Sequence, residues 1–566
     1  MLLVCCLMLL ALSFVLGRPS PLWASTYAVY IPLDDPIYNE LDTLNGLGYL
    51  DTYLSEIKPI SRIEAARLTL EAQREVDDKP NAVASSMVSA LRAELSVEVG
   101  WLENHQADDL PTMVRPMQRL ELQYVYSQGP RRTWQASPPN SPSSSTMLNA
   151  EEGTPLLPNN DGLSTSQGSN EIARWQGWGG IGSFLTLYAE GAAAGPMTHP
   201  PYGPPDGPSR FNLLGGESVV SLGNFALSFG QEEMWWGTGH FGALNFSNNA
   251  PPFPALRIQL LHPVVLPGFL RYLGQFRFQG FFGQLDSYRY YSHPWIDGEI
   301  FAFKPLPNFE FGLTHEILFG GLHNDQYTTA GFLGRATGFA TGSPSSGNTH
   351  QQGGIYLRFY FPRFRNAQLY QEMVGDDNLN YEIPGIGRFL PFLSVSYQGG
   401  LYLPRLTSDG KTDLRFEYTI TEPNYSTHGS DTLYFNYRNM VMGDAIGPNA
   451  TEVDIQVGRW LNLRRKLSAD IFYTEEAPNY STNIYYPYQY YPYPLTKEHS
   501  GGLAIDLLEL PAAINGFHQI LAGWHLQAAI EGAQALNYQQ GAVSVRALVS
   551  LSGNFQPAAN YLAWTW

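Results

Sequence analysis

Cysteine is almost absent from this chain of 566 residues, since Cys5 and Cys6 are the only two. Both lie within residues 2–16, an almost unbroken apolar run that is followed by prolines and small residues, as in a secretory signal. We therefore predict a signal peptide over residues 1–24; a permanent membrane anchor is the alternative, but the run is short for a span. The exported chain would contain no cysteine, which excludes disulfide bonds, thiolate metal sites and a cysteine nucleophile.

Charge is also scarce, because only 15% of the residues are charged, and the formal net charge is -18. This sign disfavours binding to nucleic acid, which is itself a polyanion. Beyond residue 24, no run approaches the roughly 18 apolar residues that a membrane helix needs. Aromatic residues are abundant at 13%, and the 55 glycines and 41 prolines indicate many turns rather than a helical protein.

The N-terminal part of the exported chain has helical periodicity. Ile37, Leu41, Leu44 and Leu47 recur at helical spacing after an Asp-Asp-Pro start signal. A second helix is predicted in SRIEAARLTLEAQREV, where a Ser and a Glu three residues later form a capping box, and a third in NAVASSMVSALRAELSVEVGWL. We predict a small α-helical bundle over residues 25–112.

From about Arg115 onward the period changes from 3.6 to 2, as in β-strands. In QFRFQ, FEFGLTHEI and IYLRFYF, apolar residues alternate with Arg, Glu, Gln and other polar residues, and sixteen to eighteen such segments are found. The chain ends in NYLAWTW, where Leu562, Trp564 and Trp566 share one phase. Charged polar faces, aromatic strand ends and the lack of a membrane helix favour a closed transmembrane β-barrel over residues 113–566 rather than stacked soluble β-domains.

Four stretches without alternation are predicted to be long loops, which barrels of this kind carry at one end. They are rich in Ser, Pro, Gly or Tyr and comprise residues 128–170, 195–209, 336–352 and 479–495.

One segment carries a distinctive motif. Residues 232–254 read EEMWWGTGHFGALNFSNNAPPFP, in which paired tryptophans are followed by Gly-x-Gly, Ser-Asn-Asn and three prolines. This run, together with IPLDDPIYNELDTLNGLGYLD and PISRIEAARL near the N-terminus, resembles the Wzi family of capsule-assembly outer-membrane proteins. The matching residues of the run are Gly230, Trp235, Trp236, Gly237, Gly239, Leu244, Ser247, Asn248, Asn249, Ala250, Pro252 and Pro254.

The resemblance implies an outer-membrane barrel of about eighteen antiparallel strands, with the helical bundle on the periplasmic side and the loops outside the cell. It also implies a lectin-like function, in which the barrel binds capsular or related surface polysaccharide and helps to assemble or anchor it without synthesising it. The expected partners are this polysaccharide, outer-membrane lipids and the barrel assembly machinery, and we expect a monomer.

Two groups of residues have the chemistry to bind a glycan. Trp235 and Trp236 offer apolar rings for the C–H faces of sugars, and the amides of Asn248 and Asn249 suit sugar hydroxyls. The same residues also suit a tight turn that wedges a loop inside the lumen, and this structural role is the favoured interpretation. A second candidate is the exposed set Tyr485, Tyr486, Tyr488, Tyr490 and Tyr491, whose alternative role is an aromatic girdle at the membrane surface.

Motifs for catalysis or metal binding are not found. The twelve histidines include no H-E-x-x-H spacing, and GTGHFG lacks the lysine of a P-loop. Glu232 and Glu233 are adjacent, so on an extended segment they would face opposite ways. We therefore predict no enzyme, cofactor or metal. The alternatives are a porin whose helical unit tethers it in the periplasm, and a hydrolase embedded in the barrel.

Overall fold

The computed structural model describes most of the helical region and the barrel wall. The described residues are 28–104, 112–129, 132–134, 150–152, 159–163, 165, 167–181, 184–194, 211–287, 291–322, 324, 349–376, 395–422, 425–426, 435–438, 440–477, 496–510, 521–536, 539–555 and 562–564. The predicted signal peptide and the tyrosine-rich segment 479–495 lie outside them.

Within residues 28–104, four helices precede the barrel: α1 (Ile37–Leu47), α2 (Arg62–Asp78), α3 (Ala82–Glu94) and α4 (Ser96–Asn104). The predicted N-cap is present, since the Ser61 hydroxyl accepts a hydrogen bond from the Glu64 N–H at 3.2 Å, whereas the Glu64 carboxylate accepts from Arg67 instead of completing the capping box. α1 ends at Gly48, whose φ of 83° is the left-handed conformation that glycine adopts at helix ends. None of the described helices is both long enough and apolar enough to span a membrane.

The helices pack around one apolar core that also includes Trp460, Leu508 and Leu510 of the barrel. An ion-pair network is buried beside this core, because the Arg62 guanidinium lies 2.7 Å from the Glu98 carboxylate and 3.3 Å from that of Glu94. Burial raises the pKa of Glu94. Two neighbouring guanidiniums oppose this rise, that of Arg115 on the first barrel strand more strongly than that of Arg62. Charge pairing therefore joins the helices to the barrel.

The wall consists of eighteen antiparallel strands in a closed ring. β2 (Thr112–Gln128) pairs with β5 (Gly168–Ile181) on one side and with β25 (Val543–Phe555) on the other, which closes the barrel. Two short strands, β11 (Val264–Val265) and β26 (Leu562–Trp564), continue β10 (Pro254–Leu260) and β25 after interruptions. The wall strands are β2 (Thr112–Gln128), β5 (Gly168–Ile181), β6 (Leu185–Ala194), β7 (Phe211–Leu222), β8 (Phe225–Gln231), β10 (Pro254–Leu260), β11 (Val264–Val265), β12 (Gln275–Gln284), β13 (Trp295–Leu306), β14 (Phe309–Phe319), β15 (Thr349–Phe361), β16 (Ala367–Asp376), β17 (Val395–Leu403), β18 (Thr412–Ile420), β21 (Ala450–Trp460), β22 (Arg465–Glu476), β23 (Glu498–Glu509), β24 (Leu521–Gln534), β25 (Val543–Phe555) and β26 (Leu562–Trp564).

In the described part of the chain, six short strands lie outside the ring, in three two-stranded sheets. β1 (Ile57–Lys58) pairs with β9 (Trp235–Trp236), so that Ile57 lies opposite Trp236 and Lys58 opposite Trp235. The six strands are β1 (Ile57–Lys58), β3 (Arg132–Trp134), β4 (Ala150–Glu152), β9 (Trp235–Trp236), β19 (Asn436–Tyr437) and β20 (Met440–Val441).

The two ends of the barrel differ. At one end the connections are short, with only residues 223–224 between β7 and β8 and residues 307–308 between β13 and β14. At the other end they are long, as in residues 320–348. The helical unit lies at the short-turn end, where the Ser86 hydroxyl donates to the carbonyl of Leu463 in a turn.

The wall is apolar outside and polar inside. On β22 and its neighbours, Ile471, Ile455 and Leu503 are 59%, 42% and 39% exposed, whereas the charged side chains of Arg257 and Glu372 are buried in the interior. The apolar side chains of the wall strands thus face the surrounding lipid, and the polar side chains that alternate with them face the interior of the barrel. The predicted alternation and the barrel are confirmed.

The structure differs from the predictions in three further details. The third predicted helix is divided into α3 and α4, because the chain leaves the helical conformation at Leu95, with φ of -101° and ψ of 25°. The predicted loop 336–352 is too long at its C-terminal end, since β15 begins at Thr349. The first residues of β15, THQQGG, lack alternating apolar side chains, so the sequence pattern did not reveal them as strand. Residues 128–170 are not all loop either, because the sheet of β3 and β4 lies within them.

Replacing Ile471 by arginine should test the lipid-facing wall. Ile471 lies midway along β22, opposite Ile455 and Leu503, so a guanidinium there would enter the apolar core of the bilayer. We expect the free energy of unfolding in lipid vesicles to fall by about 2–4 kcal/mol in a denaturant titration.

The matched control is Leu461→Arg, at a residue that is 55% exposed in the short turn after β21. Near the interface the same change should cost only about 0–1 kcal/mol. Equal losses for the two variants would contradict a lipid-facing position for Ile471.

Candidate functional site

The segment with the motif leaves the wall and fills the interior. Gln231 at the end of β8 pairs with Pro254 at the start of β10, so residues 232–253 between them contribute no wall strand. We call these residues the lumen loop. Most of them are buried although the segment is rich in polar residues, so its polar groups need partners from the wall.

Trp236 anchors the lumen loop in an aromatic cluster. Its ring lies 5.0 Å from that of Phe246 and 5.3 Å from that of Phe281, measured between centroids, and the side chain is fully buried. The indole N–H donates to the side-chain oxygen of Gln279 on β12 at 2.5 Å. Trp236 is therefore a structural residue, and no surface of it remains for a ligand.

Two wall carboxylates hold the backbone of the lumen loop. Glu372 on β16 accepts from the N–H groups of Thr238 at 3.1 Å and Leu244 at 2.8 Å. Glu417 on β18 accepts from His240 at 2.7 Å and Phe241 at 3.1 Å. Four backbone donors that the loop cannot pair internally are thus satisfied by charge-assisted hydrogen bonds.

The Ser-Asn-Asn sequence joins the lumen loop to other inserted segments. The Ser247 hydroxyl donates to the carbonyl of Gly443 at 2.6 Å, and the Asn249 amide donates to that of Val441 at 3.0 Å. The Asn248 amide donates to the carbonyl of Asn159 at 3.1 Å. These amide donors are engaged within the protein, which supports the structural interpretation of the two asparagines.

The glycines of the motif allow the backbone of this segment to approach the wall closely. A Cβ on Gly237, whose φ is 154°, would lie 2.3 Å from a carboxylate oxygen of Glu372. At Gly230, with φ of 155°, a Cβ would lie 2.1 Å from the carbonyl of Gly216 on β7. Gly239, Leu244, Ala250 and Pro252 complete the packed loop, in which Leu244 is fully buried and Ala250 is 7% exposed.

Trp235 differs from its neighbour because it lines a cavity. It is 6% exposed, and its indole N–H has no hydrogen-bond partner among the described residues. The Lys58 ammonium lies 5.7 Å from the centre of its ring. Trp235 therefore lines the cavity, and its buried indole N–H is a donor that the described residues leave unused.

The cavity has a volume of about 380 Å³, within the range of small-molecule sites. It lies between the lumen loop and α1, against the inner faces of β21 to β25 and β2, on the helical side of the loop. Its lining is mostly polar and consists of Leu33, Asp34, Asp35, Tyr38, Asn39, Asp42, Lys58, Arg119, Glu121, Asn159, Trp235, His240, Phe241, Asn248, Gln456, Lys466, Ser468, Asp470, Asp506, Leu508, His525, Gln527, Ser550 and Ser552.

Several charges around the cavity are already paired. Arg119 lies 2.9 Å from Asp34, and Lys466 on β22 lies 2.8 Å from Asp413 on β18, two strands away. The Oδ1 atom of Asp470 has no hydrogen-bond partner among the described residues. Together with the nearby amides and hydroxyls, these groups form a surface that suits a neutral, hydroxyl-rich ligand.

The structure brings only part of the predicted site together. Trp235 and Asn248 line the cavity, whereas Trp236 and Asn249 do not, and Tyr485, Tyr486, Tyr488, Tyr490 and Tyr491 lie outside the described residues. Lys58 and Asp470 were missed, because they come from separate segments. Lys58 lies in a two-residue strand outside the wall, and the only sequence signal of Asp470 is the inward phase of β22. Glu232 and Glu233 do diverge, toward Arg257 and Arg174 respectively.

Comparisons with known proteins agree with this fold. The family described as "Capsule assembly protein Wzi" matches residues 138–517, more than half of the chain. The solved structure of Wzi from Escherichia coli, described as an outer membrane protein involved in group 1 capsule assembly and as a carbohydrate-binding β-barrel, is similar with a TM-score of 0.62. It is 18% identical, and the match covers 92% of this chain and 99% of that one.

A curated relative from Klebsiella pneumoniae, described as an uncharacterized 55.8 kDa protein in the cps region, is 30% identical over 190 residues. This match covers 32% of the present chain and spans 36% of the relative, about a third of its length.

Replacing Glu417 by glutamine should loosen the lumen loop. One carboxylate oxygen becomes an NH₂ group, so the N–H of His240 or Phe241 loses its acceptor, at a cost of about 1–3 kcal/mol. We expect a lower denaturant midpoint and current fluctuations in planar bilayers that the unaltered barrel does not show.

Glu531→Gln is the matched control, since Glu531 is also a buried wall carboxylate but bonds to Arg546 of the next strand rather than to the loop. It should leave the current unchanged. Fluctuations of similar size in both variants would rule out a specific role for Glu417 in holding the loop.

Proposed function

Because this chain belongs to the Wzi family of capsule assembly proteins, we propose that it is an outer-membrane barrel that binds capsular or related surface polysaccharide and helps to assemble or anchor it. The observation that carries the proposal is the polar cavity against Trp235, whose indole N–H has no partner among the described residues. The carbohydrate-binding character of the similar Escherichia coli barrel supports it.

The chemistry of the cavity suits a saccharide. Sugar rings have apolar C–H faces that pack on an aromatic ring, and the indole of Trp235 is a large ring with a polar N–H at its edge. Sugar hydroxyls both donate and accept hydrogen bonds. The carboxylate of Asp470 can accept from them, and the amide of Gln527 can both donate and accept. We propose binding without catalysis.

The filled lumen disfavours a porin. The lumen loop crosses the interior, and Glu372 and Glu417 hold it at four backbone positions. The segment that contains Ile57 lies beside it, because β1 pairs with β9. An open aqueous passage would require these segments to move together, so passive solute transport is the second candidate only.

The proposed arrangement places the long loops outside the cell and the helical unit in the periplasm. The exposed apolar wall would contact outer-membrane lipids, and the barrel assembly machinery would insert the protein, which we propose to be a monomer. The tyrosines of residues 479–495 remain a second proposed glycan surface, on the external side.

Replacing Trp235 by phenylalanine should weaken glycan binding. The change removes the free indole N–H and reduces the ring surface, and one lost hydrogen bond of about 0.5–1.5 kcal/mol corresponds to roughly a 2- to 13-fold loss of affinity. The measurement is binding of the purified, folded barrel to the surface polysaccharide of the producing cell, with planar-bilayer conductance on the same sample.

Trp178→Phe is the matched control, because Trp178 is also buried but donates its indole N–H to Gln118 and does not line the cavity. It should keep the affinity of the parent protein. Changing Tyr485, Tyr486, Tyr488, Tyr490 and Tyr491 to serine then tests the external surface. Steady conductance without saturable glycan binding would overturn the proposal in favour of the porin.

A further inference from the structure

Three buried carboxylates meet inside the barrel, away from the cavity described above. They belong to Asp161 before β5, Glu190 on β6 and Glu233 in the lumen loop, and we call them the carboxylate cluster. One oxygen of each lies within 4.8 Å of the others, and the three residues are 2%, 2% and 9% exposed. We infer that the carboxylate cluster binds a divalent metal ion, with Ca²⁺ as the ion that fits best.

The protein contacts of the cluster leave one buried oxygen atom without a partner. Both oxygens of Glu190 are engaged, because Arg174 donates to Oε1 at 2.9 Å and the Tyr188 hydroxyl donates to Oε2 at 2.7 Å. Asp161 bonds to Arg174 through Oδ2, but its Oδ1 is buried and has no hydrogen-bond partner among the described residues. Glu233 accepts from the Leu33 N–H through Oε2 at 2.9 Å, while its Oε1 lies 3.9 Å from Arg174. A buried carboxylate oxygen without a donor is costly, and a bound cation would satisfy it.

The charges around the cluster do not balance. Arg174 is the one cation within ion-pair distance of the three carboxylates among the described residues, and it also lies 3.8 Å from Glu121. The three carboxylates of the cluster therefore share a single guanidinium in a buried setting, and Glu121 competes for it. Removing charges from water requires compensation, and a divalent ion would provide two further positive charges.

The space beside the cluster is the right size for an ion. A cavity of about 20 Å³ lies beside the cluster, and roughly 10–15 Å³ is enough for one water-sized occupant. Its lining comprises the three carboxylate residues, the polar residues Tyr30, Tyr188, Gln231 and Glu232, and otherwise Ile31, Pro32, Pro59, Leu214, Gly215 and Pro252. The carboxylates are oxygen ligands, which suit a hard cation better than Zn²⁺ or Cu²⁺. Ca²⁺ accepts irregular oxygen geometry more readily than Mg²⁺, which demands a near-ideal octahedron.

An ion at this position would join separate parts of the chain. Asp161 lies in a segment that bonds to the lumen loop, since its N–H donates to the Asn248 carbonyl at 2.8 Å. Glu190 belongs to the wall, and Glu233 also holds the segment before α1 through Leu33. The ion would therefore fasten the lumen loop to the wall and to the N-terminal segment at one point.

The test is Ca²⁺ binding by the full-length barrel. The protein is unfolded and refolded in detergent with a chelator, then titrated with CaCl₂ while bound calcium and the denaturant midpoint are measured. We expect one saturable Ca²⁺ per barrel and a higher midpoint. Glu233→Gln should bind at least tenfold more weakly, because it removes a charge but keeps an oxygen for the Leu33 N–H.

Asp161→Asn is the second variant, so that a folding failure of Glu233→Gln would leave the inference testable. Glu531→Gln, which alters a buried carboxylate elsewhere in the lumen, should bind Ca²⁺ as the parent protein does. The inference is overturned if the parent protein binds no Ca²⁺, or if Glu233→Gln and Asp161→Asn bind it with unchanged affinity.

Discussion

The hydrogen bonds from the lumen loop to the wall carboxylates are the interaction on which the interior depends. The lumen loop is non-helical and buried, so its backbone groups need partners outside the loop as well, and Glu372 and Glu417 accept four of its N–H donors. With the loop fixed in this way, Trp236 enters its aromatic cluster and Trp235 is left against the cavity. The proposed glycan site and the proposed metal site thus share one scaffold.

The same principle explains the polarity of the wall. Lipid surrounds the barrel, so apolar residues such as Ile471 are outside, and charged residues are placed inside, where partners are available. Arg257, for example, lies 3.2 Å from Glu217. The helical unit repeats this arrangement around Arg62. Around Arg174 the carboxylates outnumber their cationic partner, and it is there that we propose a bound metal ion.

The repeating features could be predicted from the sequence, and the interior contacts could not. Period-2 alternation predicts the strands, and the Ser61 and Glu64 pair predicts the start of α2, because both signals are local. Trp235 and Trp236 are indistinguishable in the sequence, and their different roles follow from which one faces Gln279. Asp161, Glu190 and Glu233 carry no spacing signal, since the fold alone brings them together.

The contacts between the lumen loop and the wall strands β16 and β18 have a consequence for the order of folding. The lumen loop precedes β16 and β18 in the chain, yet its backbone is held by residues of those strands, more than 120 positions later. The interior therefore cannot reach its final packing until most of the wall has been made. Contacts so distant in sequence are formed slowly, so the half-built barrel must be protected while its polar interior is still open.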